Sequence, residues 1–161
     1  MERLDAPPDM VSVTDAAVTS LFTIGYEART QAEFLDVLTS AGVTRIIDVR
    51  AVAASRRPGF SKTSLAAALR EVGIDYLHLR ALGTPKEGRE AARKGDTPRM
   101  LAIYAEQLVT PEAALALEQA HAAIRERPSA LLCFEREAVH CHRAAVADLL
   151  VPPGAGSVTD L

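Results

Sequence analysis

The sequence predicts an α/β fold: one doubly wound domain with a mostly parallel sheet of four or five strands flanked by helices. Three observations point there. Short apolar runs alternate with amphipathic stretches along most of the chain. The apolar runs are nearly continuous, as strands covered on both faces are. Capping residues and glycines stand at most of the junctions. Parallel strands are joined by right-handed crossovers, which places helices on both sides of the sheet.

The elements follow in order. Leu21 to Ile24 is an apolar run stopped by Gly25, a buried strand. Thr30 caps a first helix, with Glu33 three residues on as the capping-box partner. Phe34, Leu35, Leu38 and Ala41 follow at roughly helical spacing, and Gly42 ends the helix. Thr44 to Val49 is a second strand rich in β-branched residues, and Ser61 to Val72 a second helix capped by Ser61 and stopped by Gly73. Ile74 to Leu79 is a third strand. Residues 80–98 then hold Gly83, Pro85, Gly88, Gly95 and Pro98 among many charges, which predicts a long loop with at most one helical turn. Helices resume over Arg99 to Leu108 and Pro111 to Glu126, the latter with Pro at its first turn. Ala130 to Phe134 is a fourth strand and His142 to Leu150 a last helix. Pro152, Pro153 and Gly154 break it, and Val158 to Leu161 is a candidate closing strand.

Composition narrows the function. With 161 residues, 48% hydrophobic and 24% charged, the chain suits one globular domain with a real core. Aromatics make up 4% and Trp is absent, which counts against a stacking platform for single-stranded nucleic acid. The net charge of −3 does not mark the whole chain as a polyanion binder. Residues 45–99, however, hold twelve Lys and Arg against six Asp and Glu. A basic middle segment carrying the loops of one sheet edge suggests an anionic ligand. The two cysteines, Cys133 and Cys141, are too few for a disulfide framework and fit a reducing cytoplasm. No apolar run approaches the roughly 20 residues of a membrane span. Residues 1–20 are acidic, contain Pro7 and Pro8, and read as a flexible leader rather than a secretory signal. Residues 21–161 form the domain.

In doubly wound sheets ligands bind outside the carboxyl ends of the strands. The first strand delivers Gly25 and Tyr26 there. The second delivers Asp48, Arg50, Ser55 and Arg56, and the fourth delivers Cys133 and Glu135. The last helix opens on His140, Cys141, His142 and Arg143. Polar loops are ordinary, but reactive cysteines beside a His–Cys–His–Arg cluster are a costly choice for a plain loop.

Three readings compete for the segment from Cys133 to Arg143. Two Cys and two His are suitable ligand types for Zn²⁺, but adjacent residues rarely converge on one ion and no C-x-x-C spacing is present. A thiol flanked by cations near a helix start is activated as a nucleophile, with Glu135 or a His as acid or base. Alternatively the helix start and the Arg143 fork bind an anion, and Cys133 is a small buried residue. Asp48 orients Arg50 or a ligand hydroxyl, or caps a turn. Arg56 and Arg57, beside Phe60, form either a phosphate clamp or a solvated turn.

Taken together, Thr23-Ile24-Gly25-Tyr26, Ile47-Asp48-Val49-Arg50, Ser55-Arg56 with Phe60, Tyr76-Leu77-His78-Leu79 with Leu82-Gly83, and Cys133-x-Glu135 with Cys141-His142-Arg143 resemble the domain of unknown function 488 family. The resemblance runs in order from about Leu21 to Leu161, and the final Cys-x-Glu and Cys-His-Arg pair is its most specific part. It implies a compact cytoplasmic α/β domain with motif positions at Gly25, Asp48, Arg50, Ser55, Arg56, Cys133, Glu135, Cys141, His142 and Arg143. It supplies no substrate. A rhodanese-like sulfurtransferase fits less well, because Glu135 and Glu137 after Cys133 are unfavourable beside a persulfide anion.

The leading reading is an enzyme acting on a phosphate-bearing ligand, a nucleotide or a nucleic-acid end, at the carboxyl edge of the sheet. Cys133, Glu135, Cys141 and His142 are its candidate catalytic residues, as in a Cys/Glu-dependent hydrolase or transferase. Gly25, Tyr26, Asp48, Arg50, Ser55, Arg56 and Arg143 are its candidate ligand-binding residues. The alternative is a non-catalytic anion- or nucleotide-binding regulatory module. No metal, cofactor or membrane partner is expected, nucleic acid is the weaker partner, and the oligomeric state stays open.

Overall fold

The computed structural model describes residues 19–138 and 141–161. Nearly all of the acidic leader and His140 lie outside the described residues. Five parallel strands form one sheet in the order β3-β2-β4-β1-β5. They are β1 (Thr19–Gly25), β2 (Arg45–Asp48), β3 (Asp75–His78), β4 (Ser129–Cys133) and β5 (Gly156–Asp160). The helices are α1 (Gln31–Ser40), α2 (Lys62–Glu71), α3 (Lys86–Arg93), α4 (Thr97–Leu108), α5 (Pro111–Glu126) and α6 (Arg143–Leu150). The predicted α/β class is the one observed.

Side-chain alternation along the strands divides the core in two. Ile24, Ile46, Ala130 and Leu132 face Phe34 and Leu38 of α1 and Leu65 and Leu69 of α2. Leu21, Ile47, Leu131 and Cys133 face the other way, toward Ala116, Ala120 and Ala123 of α5 and Val146 and Ala147 of α6. Central β4 is buried at every position, which explains its unbroken apolar run. The capping box of α1 forms as expected: the Glu33 amide donates to the Thr30 hydroxyl, and the Thr30 amide to the Glu33 carboxylate. The expected Ser61 cap of α2 is a correction: its hydroxyl donates instead to the Ser55 carbonyl and closes the preceding turn.

The predicted loop over residues 80–98 is a correction. It contains a 3₁₀ turn at Arg80–Leu82 and the whole of α3. Gly88, read from the sequence as a breaker, lies inside α3. A Cβ there would come within 2.5 Å of the Thr84 methyl, so the residue is small because the chain passes close, not because the helix stops. Tyr104 of α4 donates from its hydroxyl to the Leu82 carbonyl at 2.6 Å and ties this segment to the core.

Gly25 is needed at the end of β1 for the same reason. Any Cβ there would overlap the Glu135 carbonyl group, which crosses directly over it. Gly25→Ala is expected to lower stability by about 1–3 kcal/mol, the usual cost of overpacking, and to displace the Glu135 loop. Urea unfolding measures the first effect and amide chemical shifts of residues 134–137 the second.

Candidate functional site

The connection leaving β2 runs toward β3, and the one leaving β4 runs toward β5 on the opposite side. β2 and β4 are neighbours, so the loops after them diverge and open a crevice, the usual ligand position in such sheets. A hollow of about 420 Å³ lies there. Tyr26, Arg50, Phe134, Glu135 and His142 line it from the strand ends, and Thr84, Arg89 and Arg93 from the α3 side.

Arg50 is fixed before any ligand arrives. The Asp48 side chain accepts from its Nε at 2.9 Å and its Nη2 at 2.7 Å, and from its backbone amide at 3.0 Å. Nη1 donates to the Phe60 carbonyl at 2.7 Å, and the guanidinium stands 5.3 Å from the Tyr26 ring centroid. Burial opposes the charge on Arg50, but the hydrogen bonds and opposite charge of Asp48 outweigh it and raise the pKa above its ordinary value. Asp48 is fully buried and also accepts from the Tyr76 hydroxyl. Its structural work is therefore to orient Arg50, one of the two roles its position suggested.

The aromatic wall is built in layers. Tyr26 stacks on Phe60 with centroids 4.6 Å apart, and Phe134 meets Tyr26 edge-on at 5.3 Å. Phe134 keeps 44% of its surface exposed beside the hollow. Across from it, α3 carries Arg89 and Arg93 one turn apart on a single face. Arg89 donates to the Thr84 carbonyl at 2.8 Å, which steadies it at the rim.

His142 Nε2 lies 2.8 Å from the Val49 carbonyl. A carbonyl only accepts, so Nε2 carries the proton and Nδ1 the lone pair in the neutral ring. Burial is the main cause of a lowered His142 pKa, with a lesser contribution from Arg143. Because the folded-state pKa lies below the unfolded value, the unfolded chain takes up this proton first as pH falls. Stability from this group is present above about pH 6.5 and declines below it. Urea midpoints across pH 5–8 test this, and His142→Gln is expected to flatten the slope.

The cysteines sit behind Glu135, away from the cavity wall. Cys133 and Cys141 are 1% and 5% exposed and joined by a disulfide, in contrast to the free thiols expected of a reducing compartment. Glu135 Oε2 is 3.4 Å from Cys133 Sγ. Arg143, expected to grip the ligand, is fully buried. Its Nη1 contacts Cys133 Sγ at 3.0 Å and the Glu135 carbonyl, and its Nη2 donates to the Arg136 carbonyl at 3.0 Å. The loop after β4 wraps around the guanidinium, so Arg143 does not line the hollow.

Ser55 and Arg56 are not brought to the hollow either. The Ser55 hydroxyl accepts from the Arg57 amide at 3.1 Å and shapes the turn, while Arg56 is exposed. Tyr26, Arg50, Glu135 and His142 do line the hollow, whereas Gly25 lies against the Glu135 carbonyl without lining it. Arg89, Arg93, Thr84 and Phe134 were missed. An Arg-x-x-x-Arg pair was a usable signal, but only once the segment is seen to be helical.

A larger hollow of about 680 Å³ opens at the amino ends of β2 and β3. Its charges neutralise one another: Arg45 pairs with Glu126 at 2.9 Å and with Asp75 at 3.5 Å, and Arg127 pairs with Asp75 at 2.8 Å. In the carboxyl-end hollow Arg50 is paired with Asp48, but Arg89 and Arg93 meet Glu135 as the one acidic residue among the described lining residues, so it is the stronger candidate for an anion.

Sheet order, crossover pattern and crevice define a doubly wound α/β protein with a hollow at its carboxyl edge. Residues 30–150 match the family model described as Domain of unknown function DUF488, and the chain belongs to that family. No curated protein and no solved structure matches it.

Proposed function

We propose that this chain binds a phosphate-bearing ligand with a flat ring, a nucleotide or a nucleic-acid end, in the carboxyl-edge hollow, and acts on it as a hydrolase or transferase. One observation carries the reading. The guanidinium groups of Arg50, Arg89 and Arg93 share one cavity with the exposed Phe134 ring and the Glu135 side chain. Arginine forks suit phosphate oxygens, and an exposed aromatic face suits a base. Glu135 is the group placed to move a proton. His142, with Nε2 committed to Val49, presents a neutral ring to the same space. The cysteines stand one layer deeper, where they bear on Glu135 rather than on the ligand.

The test is a thermal-shift and calorimetric comparison of adenosine, inorganic phosphate and adenosine monophosphate on the reduced full chain. Binding is expected to strengthen in that order of added groups, with the nucleotide tightest and its affinity falling as salt rises. Equal response to adenosine and to the nucleotide overturns the phosphate assignment. Turnover of a nucleotide or phosphodiester that disappears in Glu135→Gln while binding persists supports the enzyme. Binding with no turnover of any such compound supports a non-catalytic module instead.

A further inference from the structure

We infer that Cys133 and Cys141 are a working dithiol–disulfide couple, in which buried Arg143 holds Cys133 as the thiolate that meets a hydroperoxide and Cys141 closes the disulfide. The inference builds on the site above only in placing the couple beneath Glu135. Its experiment reads the thiols with no ligand present, so its failure leaves the ligand reading standing, and the converse.

The starting point is a buried cation. Arg143 is fully buried; burial opposes its charge, while Asp160, Glu135 and Glu137 support it through space. Its neighbours are the carbonyls of Glu135 and Arg136 and the sulfur of Cys133, and its Nε has no partner. A buried charge is costly unless an opposite charge meets it. The sulfur at 3.0 Å is the neighbour able to become an anion. In the disulfide that sulfur is neutral, and burial still outweighs the offset that nearby carboxylates give Arg143. In the dithiol a Cys133 thiolate meets the guanidinium directly.

Other charges bear on this cluster: Asp160 and Glu137 support the Arg143 charge, and Arg29 opposes it. Glu135 opposes a thiolate from 3.4 Å, but it is half-buried and borders the solvent-filled hollow, where its field is screened. Arg143 is nearer and unscreened. His142, beside Cys141 with Nδ1 3.8 Å from its sulfur, is neutral and adds no charge. The balance favours the thiolate on Cys133. Stabilising the reduced form makes a disulfide easier to reduce, the mark of a functional rather than a structural bridge.

The chemistry balances with one named oxidant. The Cys133 thiolate attacks the outer oxygen of a hydroperoxide. The S–O bond forms, the O–O bond breaks, and the departing oxygen leaves as water or an alcohol after taking a proton. The Cys141 sulfur then attacks Cys133 Sγ, forming the S–S bond and releasing a second water that carries the Cys141 proton. Two thiols are oxidised by two electrons and the hydroperoxide is reduced. A small, neutral oxidant suits sulfurs that are 1% and 5% exposed.

Two measurements test the couple on the full chain. In reduced Cys141→Ser, the ultraviolet absorbance of the thiolate is followed against pH. The step is expected at least one unit below the ordinary thiol value of about 8.5. Arg143→Gln in the same background is expected to move it back up. A step at or above about 8.5 in the first variant overturns the assignment. Should Arg143→Gln fail to fold, the wild-type chain decides. Equimolar hydrogen peroxide is expected to remove both thiols together as an intramolecular disulfide that a dithiol reopens. Two thiols surviving that treatment, or only one lost, overturns the couple.

Discussion

Replacing Asp48 with alanine is expected to destabilise the protein by about 3–5 kcal/mol, the cost of leaving a buried charge without its partner. Asp48 is fully buried and Arg50 is 6% exposed. The carboxylate takes three hydrogen bonds from Arg50 side-chain nitrogens and one from its amide. It also accepts from Tyr76 of edge strand β3. Its removal strands a buried guanidinium and a half-buried phenol at once. The loss is therefore one of desolvation left uncompensated, not of the net worth of an ion pair. Asp48→Ala combined with Arg50→Met is expected to recover more than half of the loss, because the second change removes the stranded charge. Urea unfolding of both variants measures this. A loss under about 1 kcal/mol for Asp48→Ala, the range of surface pairs, contradicts the assignment.

The second large effect falls on binding. Arg89→Ala with Arg93→Ala is expected to weaken nucleotide affinity by about 100-fold or more, since each charge-assisted contact contributes roughly 1.5–3 kcal/mol. Arg93 is exposed and Arg89 half-buried, with one bond to a nearby carbonyl, so the fold is expected to stay intact. Calorimetry reads the affinity, and a melting curve confirms folding. The salt dependence of binding should also flatten, because two cations no longer meet the ligand. Unchanged affinity would place the ligand away from α3. These two predictions separate the roles of the arginines: Arg50 is held from within by Asp48, while Arg89 and Arg93 approach from a helix that can be altered without disturbing the sheet.

Much of this architecture was legible in the sequence for local reasons. Thr30 with Glu33, the Gly42 and Gly73 stops, and Pro111 at a helix start all act through nearest neighbours, and those elements formed where expected. The carboxyl-edge rule then located Tyr26, Arg50, Glu135 and His142 without any coordinates. What stayed hidden depends on contacts distant in sequence. Gly88 looks like a helix breaker until Thr84 is seen against it, so α3 and its two arginines were lost together. Arg143 looks like a ligand grip until the carbonyls of Glu135 and Arg136 are seen closing over it. Ser55 and Arg56 resembled family motif positions, yet one shapes a turn and the other faces solvent. Residue type suggested chemistry at each of these positions; only packing decided which way the side chain turned.

The most direct measurement is an amide chemical-shift titration of the reduced full chain with adenosine monophosphate. The largest shifts are expected at Tyr26, Arg50, Val52, Thr84, Arg89, Arg93, Phe134, Glu135 and His142, which line the carboxyl-edge hollow. Shifts centred instead on Arg45, Arg70 and Asp75, at the other end of the strands, or no shifts at saturating nucleotide, would contradict it.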